Sequence, residues 1–242
     1  RIFAEIDAYL SKYQIEFFYF ISESFLSMPR NKFNEFCERY SRYKIPFWFN
    51  TRPETITAEQ IKKLEEINCF RIGVGVEHGN AEFRARMLKR RTSNEKIIEG
   101  CHYIEQSKIG FSVNNIIGLP EETRELVFET IKLNKQITPD SVQVFVFTPF
   151  RGTDLYNYCI QHGYINATTP LGDLHRASVL ENTLMTSEEV RGLLRTFPLY
   201  VHFPEVEYPA IRRAEKFDEE GNRIFRALAE RYRNEHYSKE KL

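Results

Sequence analysis

No run of about 18 apolar residues occurs anywhere in the sequence, so nothing in it reads as a bilayer-crossing segment. An excess of one charge is missing too. The 34 Lys and Arg balance the 34 Asp and Glu, so no net field steers the chain toward nucleic acid or an anionic membrane surface. Cysteines number only four, Cys37, Cys69, Cys101 and Cys159, and no two lie close together. Zinc and iron–sulfur sites draw on cysteines a few residues apart, so these four exclude a local metal motif. They read as small buried core residues, free thiols suited to a reducing, cytoplasmic compartment. Neither a low-complexity segment nor a signal-peptide pattern ahead of the first helix is present. The chain opens at Arg1 within a helical pattern of Ile2, Ile6 and Leu10, so we expect the protein to continue upstream.

What is present is an alternation of strand and helix. Hydrophobic residues make up 42% of the 242, enough for a sizeable core. Residues 17–21 (FFYFI) read as a buried strand, followed by a helix with Phe33, Phe36, Cys37 and Tyr40 on one face. A second strand covers 47–51. Thr57 and Gln60 then form a capping box for a helix carrying Ile61, Leu64 and Ile67. The third strand is 70–76, and Thr92 with Glu95 caps a helix with Ile97, Ile98, Cys101 and Ile104 inward. Strands at 111–117 and 142–147 follow, with helices at 122–135 and near 154–162. Units of this kind, about 30 residues each, make parallel βαβ structure. The fold class is therefore α/β. Five strands cannot close a barrel of eight, so a partial, open TIM-type barrel is expected. From Tyr164 the alternation stops. Thr186 and Glu189 cap a helix with Leu193, Leu194 and Phe197, and a charged helix covers 218–237. The expected division is a partial barrel at 1–163 and a helical extension at 164–242.

Ligands of parallel sheets sit at the carboxyl ends of strands. In "RIGVGVEHGN", alternation puts Arg71, Gly73, Gly75 and Glu77 on one face and Ile72, Val74, Val76 and His78 on the other. The β-branched face should meet helices. The glycine face should leave room for a ligand, with Glu77 gripping it. His78 reads as a partly exposed loop residue. The first strand ends in Ser22-Glu23-Ser24, and the second in Asn50-Thr51-Arg52 with Asn50 and Arg52 on one face. Asn114 and Asn115 lie in the fourth strand, where asparagine is costly to bury unpaired, so at least one should meet a polar ligand. Gln143, Phe145 and Phe147 share a face of the fifth. Aromatic walls with polar groups suit a nucleoside-like ligand.

Four motifs succeed one another at strand ends: "FWFNTRPETIT", "RIGVGVEHGN", "NNIIGLPEET" and "FVFTPFRGTDLY". Their order resembles the radical S-adenosylmethionine (radical SAM) superfamily, and most of all its cobalamin-binding branch of the magnesium-protoporphyrin ester cyclase type. The resemblance covers residues 17–163. It implies that Glu77 accepts from the ribose hydroxyls of S-adenosylmethionine. It also implies that Ile116, Gly118 and Glu121 match the segment packed on adenine, that Val144–Phe147 contact adenine, and that Glu23 stands in the motif holding the methionine amino group. The cofactor-binding set is then Glu23, Asn50, Arg52, Gly75, Glu77, Asn114, Ile116, Gly118, Phe145 and Phe147. Arg84, Arg86 and Lys89 read as solvated.

The family's C-x-x-x-C-x-x-C loop, which holds a 4Fe-4S cluster, does not occur in this sequence. The resemblance therefore implies a fragment holding strands two to six, with cluster ligands, and cobalamin where used, on an upstream part of the same protein. Asp173-Leu174-His175 starts like a cobalamin signature but lacks its glycine. The implied activity is generation of a 5′-deoxyadenosyl radical, or methyl transfer through cobalamin, acting on a small-molecule substrate. No residue for catalysis or metal binding is assigned. Two alternatives stand beside it: a non-catalytic nucleoside or protein binding module, and an unrelated barrel enzyme using Glu77 and His78 as acid and base.

Overall fold

The structure, a computed structural model, describes residues 1–170 and 178–236. Asp173, Leu174 and His175 lie outside the described residues. Five strands, β1 (Phe18–Phe20), β2 (Phe47–Thr51), β3 (Cys69–Glu77), β4 (Gly110–Ile117) and β5 (Ser141–Val146), form one open parallel sheet in sequential order. Helices α1 (Ile2–Leu10), α2 (Arg30–Tyr40), α3 (Ala58–Glu66), α4 (Ala81–Met87), α5 (Asn94–Glu105), α6 (Arg124–Asn134) and α7 (Asp154–Gln161) come before, between and after the strands. Helices α8 (Ser187–His202), α9 (Tyr208–Ala214) and α10 (Glu219–His236) come last. None of the described helices is long and apolar enough to cross a membrane. Two compact units interleave along the chain. One holds Arg1–Val76, Thr92–Val113 and Ile137–Ser141, and the other Glu77–Arg91, Asn114–Gln136 and Val142–Leu242.

The first unit is built on aromatic packing. Phe20, Phe25, Phe36, Tyr40, Phe47 and Phe49 interlock, with Phe25 and Phe49 stacked at 4.4 Å and Tyr40 edge-on to Phe47 at 4.8 Å. Such pairs add about 0.5–1.5 kcal/mol each beyond the area they bury. Thr57 caps α3 by accepting from Gln60 N, at the expected position. The cap of α5 falls one residue later than the sequence suggests. Ser93 holds the extended conformation and accepts from Lys96 N, because the helix starts at Asn94. In α1 the buried pair is Phe3 and Ile6, while Ile2 is exposed. The expectation of a buried first strand is also corrected. β1 is a three-residue edge strand in which Phe18 and Phe20 are half-buried, and Phe17, Tyr19 and Ile21 are exposed.

The second unit joins the outer ends of β4 and β5 to the last helices. Ile117 and Val146 share a core with Val127 and Ile131 of α6 and with Val190, Leu193, Phe197 and Tyr200 of α8. The capping box of α8 is complete, with Thr186 and Glu189 bonding each other's backbone N–H. Arg124 and Tyr200 both bond the Glu215 carboxylate, so this ion pair between α6 and the helical layer is sheltered.

Candidate functional site

At the end of β3 the chain makes an abrupt change. Glu77 adopts φ 68°, in the left-handed region that side chains with a Cβ seldom occupy. Its carboxylate is turned inward, 16% exposed, and lies 3.3 Å from Arg90 Nη2. The carboxylate is thus largely shielded from solvent, with Arg90 beside it. Its arginine partner means that any hydroxyls received there share the carboxylate with a guanidinium.

His78 is corrected from loop residue to core. It is fully buried, its Nδ1 accepts from Asn80 N at 3.1 Å, and its Nε2 lies 3.1 Å from Glu122 Oε1. The lone pair is thus at Nδ1 and the proton at Nε2, donating to Glu122. The left-handed turn at Glu77 rotates the chain, so strand parity no longer predicts where residue 78 points. Glu122 is also fully buried, and its Oε2 accepts from Gly118 N at 2.5 Å and Leu119 N at 3.1 Å. Three donors thus converge on one carboxylate, linking the turn after β3 to the turn after β4. Arg84 is a second correction. It is 1% exposed and donates to the His78 carbonyl, rather than lying solvated. Arg86 and Lys89 are exposed as expected, with Arg86 paired to Glu121 at 2.6 Å.

The β4 turn carries the next candidates. Gly118 has φ +75°, which explains glycine there. A Cβ at that position would lie 3.1 Å from Val190 Cγ1, so this glycine packs on α8. Glu121, also at positive φ, binds Arg86 and the Tyr158 hydroxyl, and that contact lowers its pKa while raising that of Tyr158 to about 12. Asn115 is fully buried and satisfied by Asn134 and the Gln143 carbonyl. It is structural, whereas Asn114 is half-buried on the opposite parity. Phe147 is 8% exposed in a core with Phe83, Leu119 and Cys159, against which Ile116 packs. Phe145 is half-buried.

The remaining candidates lie in the first unit. A knot of hydroxyls holds the loop after β1 against the end of β2. Thr51 Oγ1 accepts from Leu26 N at 3.2 Å and lies 3.3 Å from Ser24 Oγ, and Ser24 Oγ accepts from Arg52 N at 3.4 Å. This brings the segment bearing Glu23 beside Arg52. Both side chains are exposed. Asn50 donates to the Tyr19 hydroxyl at 2.7 Å. The expected room beside Gly73 is corrected, because a Cβ there would sit 2.1 Å from Asn50 Oδ1. Asn50 fills that recess. Gly75, half-buried, lies one residue past the Thr51–Val74 pairing.

The four cysteines are free and buried. Burial pushes Cys37 and Cys159 up to about 11 and Cys101 to about 12, and raises Cys69 further. Inert, scattered thiols do not fit an iron–sulfur cluster, and no group of three or more potential metal ligands exists among the described residues. The groove along α6 and α9, about 510 Å³, is lined by Arg124, Phe128, Lys135 and Tyr208 among others, and by none of the predicted site residues.

Residues 1–133 match the Radical SAM superfamily. The chain belongs to that superfamily. It is 24% identical over 160 residues to the anaerobic magnesium-protoporphyrin IX monomethyl ester cyclase of Rubrivivax gelatinosus, covering 64% of this chain and 28% of that relative. The chain thus spans about a quarter of that protein's length. Among solved structures, the radical S-adenosylmethionine methyltransferase TsrM from Kitasatospora setae, with cobalamin and a [4Fe-4S] cluster bound, aligns at TM-score 0.59 and 16% identity. That alignment covers 69% of this chain and 32% of TsrM. The cobalamin-dependent S-adenosylmethionine radical enzyme OxsB, with aqua-cobalamin and S-adenosylmethionine bound, aligns at TM-score 0.56 and 12% identity over 96% of this chain and 40% of that one. These likenesses establish the fold: an open α/β sheet of the radical SAM type.

Sequence reasoning missed Glu122 and Arg84. Glu122 stands just before the Thr123 cap of α6 and reads as an ordinary first-turn acid. Only its three donors reveal the role.

Proposed function

We propose that this chain is the cofactor-binding part of a radical SAM enzyme and takes up S-adenosylmethionine with Glu77 as acceptor for the ribose hydroxyls. The observation that carries the reading is the left-handed Glu77, an inward carboxylate at a strand end. Backbone strain of this kind costs about 1–3 kcal/mol and persists where surrounding contacts over-determine it, typically at ligand sites. The His78–Glu122 clamp supplies those contacts. Ile116, Gly118, Asn114, Phe145 and Phe147 are the proposed residues for the nucleoside in the same unit. Glu23, Asn50, Arg52 and Gly75 are the further candidates.

A reduced 4Fe-4S cluster with S-adenosylmethionine supplies the radical chemistry of the superfamily, and cobalamin supplies methyl transfer in the branch that this chain resembles. Since the cysteines here do not fit the cluster, we place its ligands, and any cobalamin, on an upstream part of the same protein. This chain's share is to bind and orient the nucleotide and to keep water from it. We also propose a partial barrel at 1–163 with a helical extension at 164–242, a small-molecule substrate and a cytoplasmic location. The acid–base alternative is disfavoured because His78 is sealed from solvent and both its ring nitrogens are engaged. A pure binding module is the second reading, which an intact gene lacking the cysteine loop would favour.

Calorimetric titration of the chain with S-adenosylmethionine tests the proposal. Glu77→Ala should weaken binding by about tenfold or more, since hydrogen bonds to a charged acceptor are worth about 1.5–3 kcal/mol each. Unchanged affinity removes Glu77 from the site. Gly75→Val should abolish binding, and normal binding would overturn the face assigned to β3.

A further inference from the structure

We propose that the last helices carry a second ligand site, a seat for the terminal phosphoryl group of a small molecule, formed by Arg191 and Arg195 of α8 with Arg226 of α10. The site shares no residue with the strand-end candidates and stands whether or not the chain binds S-adenosylmethionine. Arg191 and Arg195 are one helical turn apart and lie on one face of α8. Both meet the half-open ring of Phe217, with each guanidinium carbon 4.5 Å from its centre. Arg195 also lies 4.0 Å from the centre of the Phe225 ring, so two aromatic faces hold its guanidinium in place.

Three observations define the ligand. First, these cations gather without a carboxylate. None of the three arginines makes an ion pair among the described residues, whereas neighbouring charges are matched: Glu188 with Lys216 at 3.4 Å, and Asp218 and Glu220 both with Arg213 at 2.9 Å. Second, the charge of Arg195 is partly desolvated and left uncompensated. Its Nη1 donates to Asn222 Oδ1 at 3.0 Å, and its Nε is shut off from solvent with no acceptor among the described residues. Burial, and then the nearby Arg226, hold its pKa below the ordinary guanidinium range. Native structures seldom leave a buried donor unpaired or crowd like charges without a counter-charge, because both raise the free energy. A bound anion relieves both at once. Third, the donors are forks. A guanidinium matches phosphate oxygens two at a time, and a phosphoryl dianion offers three oxygens to three arginines, where a carboxylate offers two oxygens and a single charge. A polynucleotide needs cations in a row along its path. Lys216, next to Phe217, and Arg213 are already paired, so no such row extends from this point. The ligand that fits is a single phosphoryl group.

The experiment is a calorimetric titration of the chain with phenyl phosphate at about pH 8, where the monoester is a dianion, beside benzoate and a uridine dodecamer. Phenyl phosphate should bind saturably, and benzoate at least about tenfold more weakly, because it offers less charge and fewer acceptors. Arg191 and Arg226 are exposed, so Arg191→Gln and Arg226→Gln should leave the circular dichroism spectrum unchanged. Each should weaken phenyl phosphate binding about tenfold, and the double variant should abolish it, since bonds to a charged partner are lost. Arg195→Lys keeps the charge but loses the fork, and should weaken binding to a similar degree. In ¹H–¹⁵N spectra, phenyl phosphate should move the Arg195 Nε–H resonance, assigned by its absence in Arg195→Lys. No saturable heat up to about 10 mM overturns the proposal, as does equal binding of benzoate or undiminished binding by the folded double variant. A dodecamer that binds more tightly than phenyl phosphate, with affinity falling steeply as salt rises, marks a polynucleotide surface and overturns it too.

Discussion

Replacing Glu122 by alanine strands three buried donors at once: His78 Nε2, Gly118 N and Leu119 N. A buried donor left without its acceptor costs about 1–3 kcal/mol, and bonds to a charged acceptor lie at the upper end. Three of them, partly relieved by relaxation and water entry, give about 4 kcal/mol. That is a large share of the roughly 5–15 kcal/mol that holds a domain together. Glu122→Gln separates charge from shape. A glutamine amide keeps one acceptor oxygen, which can serve Gly118 and Leu119, but its NH2 then faces the His78 Nε2–H. His78 cannot move that proton to Nδ1, which already accepts from Asn80 N. One donor clash remains, so about 2 kcal/mol is expected. Urea denaturation followed by circular dichroism measures both values as a fall in midpoint at constant slope. A cost below about 1 kcal/mol for the alanine variant would mean that the convergence on Glu122 is not what holds the two turns, and the support argued for the Glu77 conformation would go with it.

Other outcomes follow from the same geometry. Gly73→Ala should push Asn50 from its recess and break its bond to Tyr19. The lost bond costs about 1 kcal/mol, offset in part by the backbone entropy that alanine saves, so stability should change by less than about 1 kcal/mol while Trp48 fluorescence shifts. The cysteines should resist thiol reagents in the native state and all four should react in denaturant. Their folded pKa values are raised by burial, so the unfolded chain gives up its thiol protons first. Stability should be full below about pH 9 and fall as pH rises from there toward 11 and 12, measured as melting temperature against pH. Glu121 has the opposite sign. Its pKa is lowered by Tyr158 and Arg86, so the stabilisation it provides is present above the ordinary glutamate range and fades as pH falls through the folded value. Glu121→Gln should flatten that acid limb.

The helix periods, the caps at Thr57 and Thr186 and the five parallel strands were legible because local periodicity and capping are set within a few residues. The motif order likewise pointed to the superfamily. Parity gave the wrong environment for His78, because a positive φ at residue 77 ends the alternation that parity relies on. Two adjacent asparagines read alike in the sequence. Alternation already put them on opposite faces, and packing decided that Asn115 is the one that meets Asn134. The sequence by itself therefore determined which elements form and which residues stand at strand ends, since those depend on neighbours along the chain. Tertiary structure alone decided that Asn50 fills the recess at Gly73 and that Glu122 gathers donors from two separate turns. Hydrogen bonds and steric contacts depend on where distant segments meet, and spacing along the chain carries no record of that.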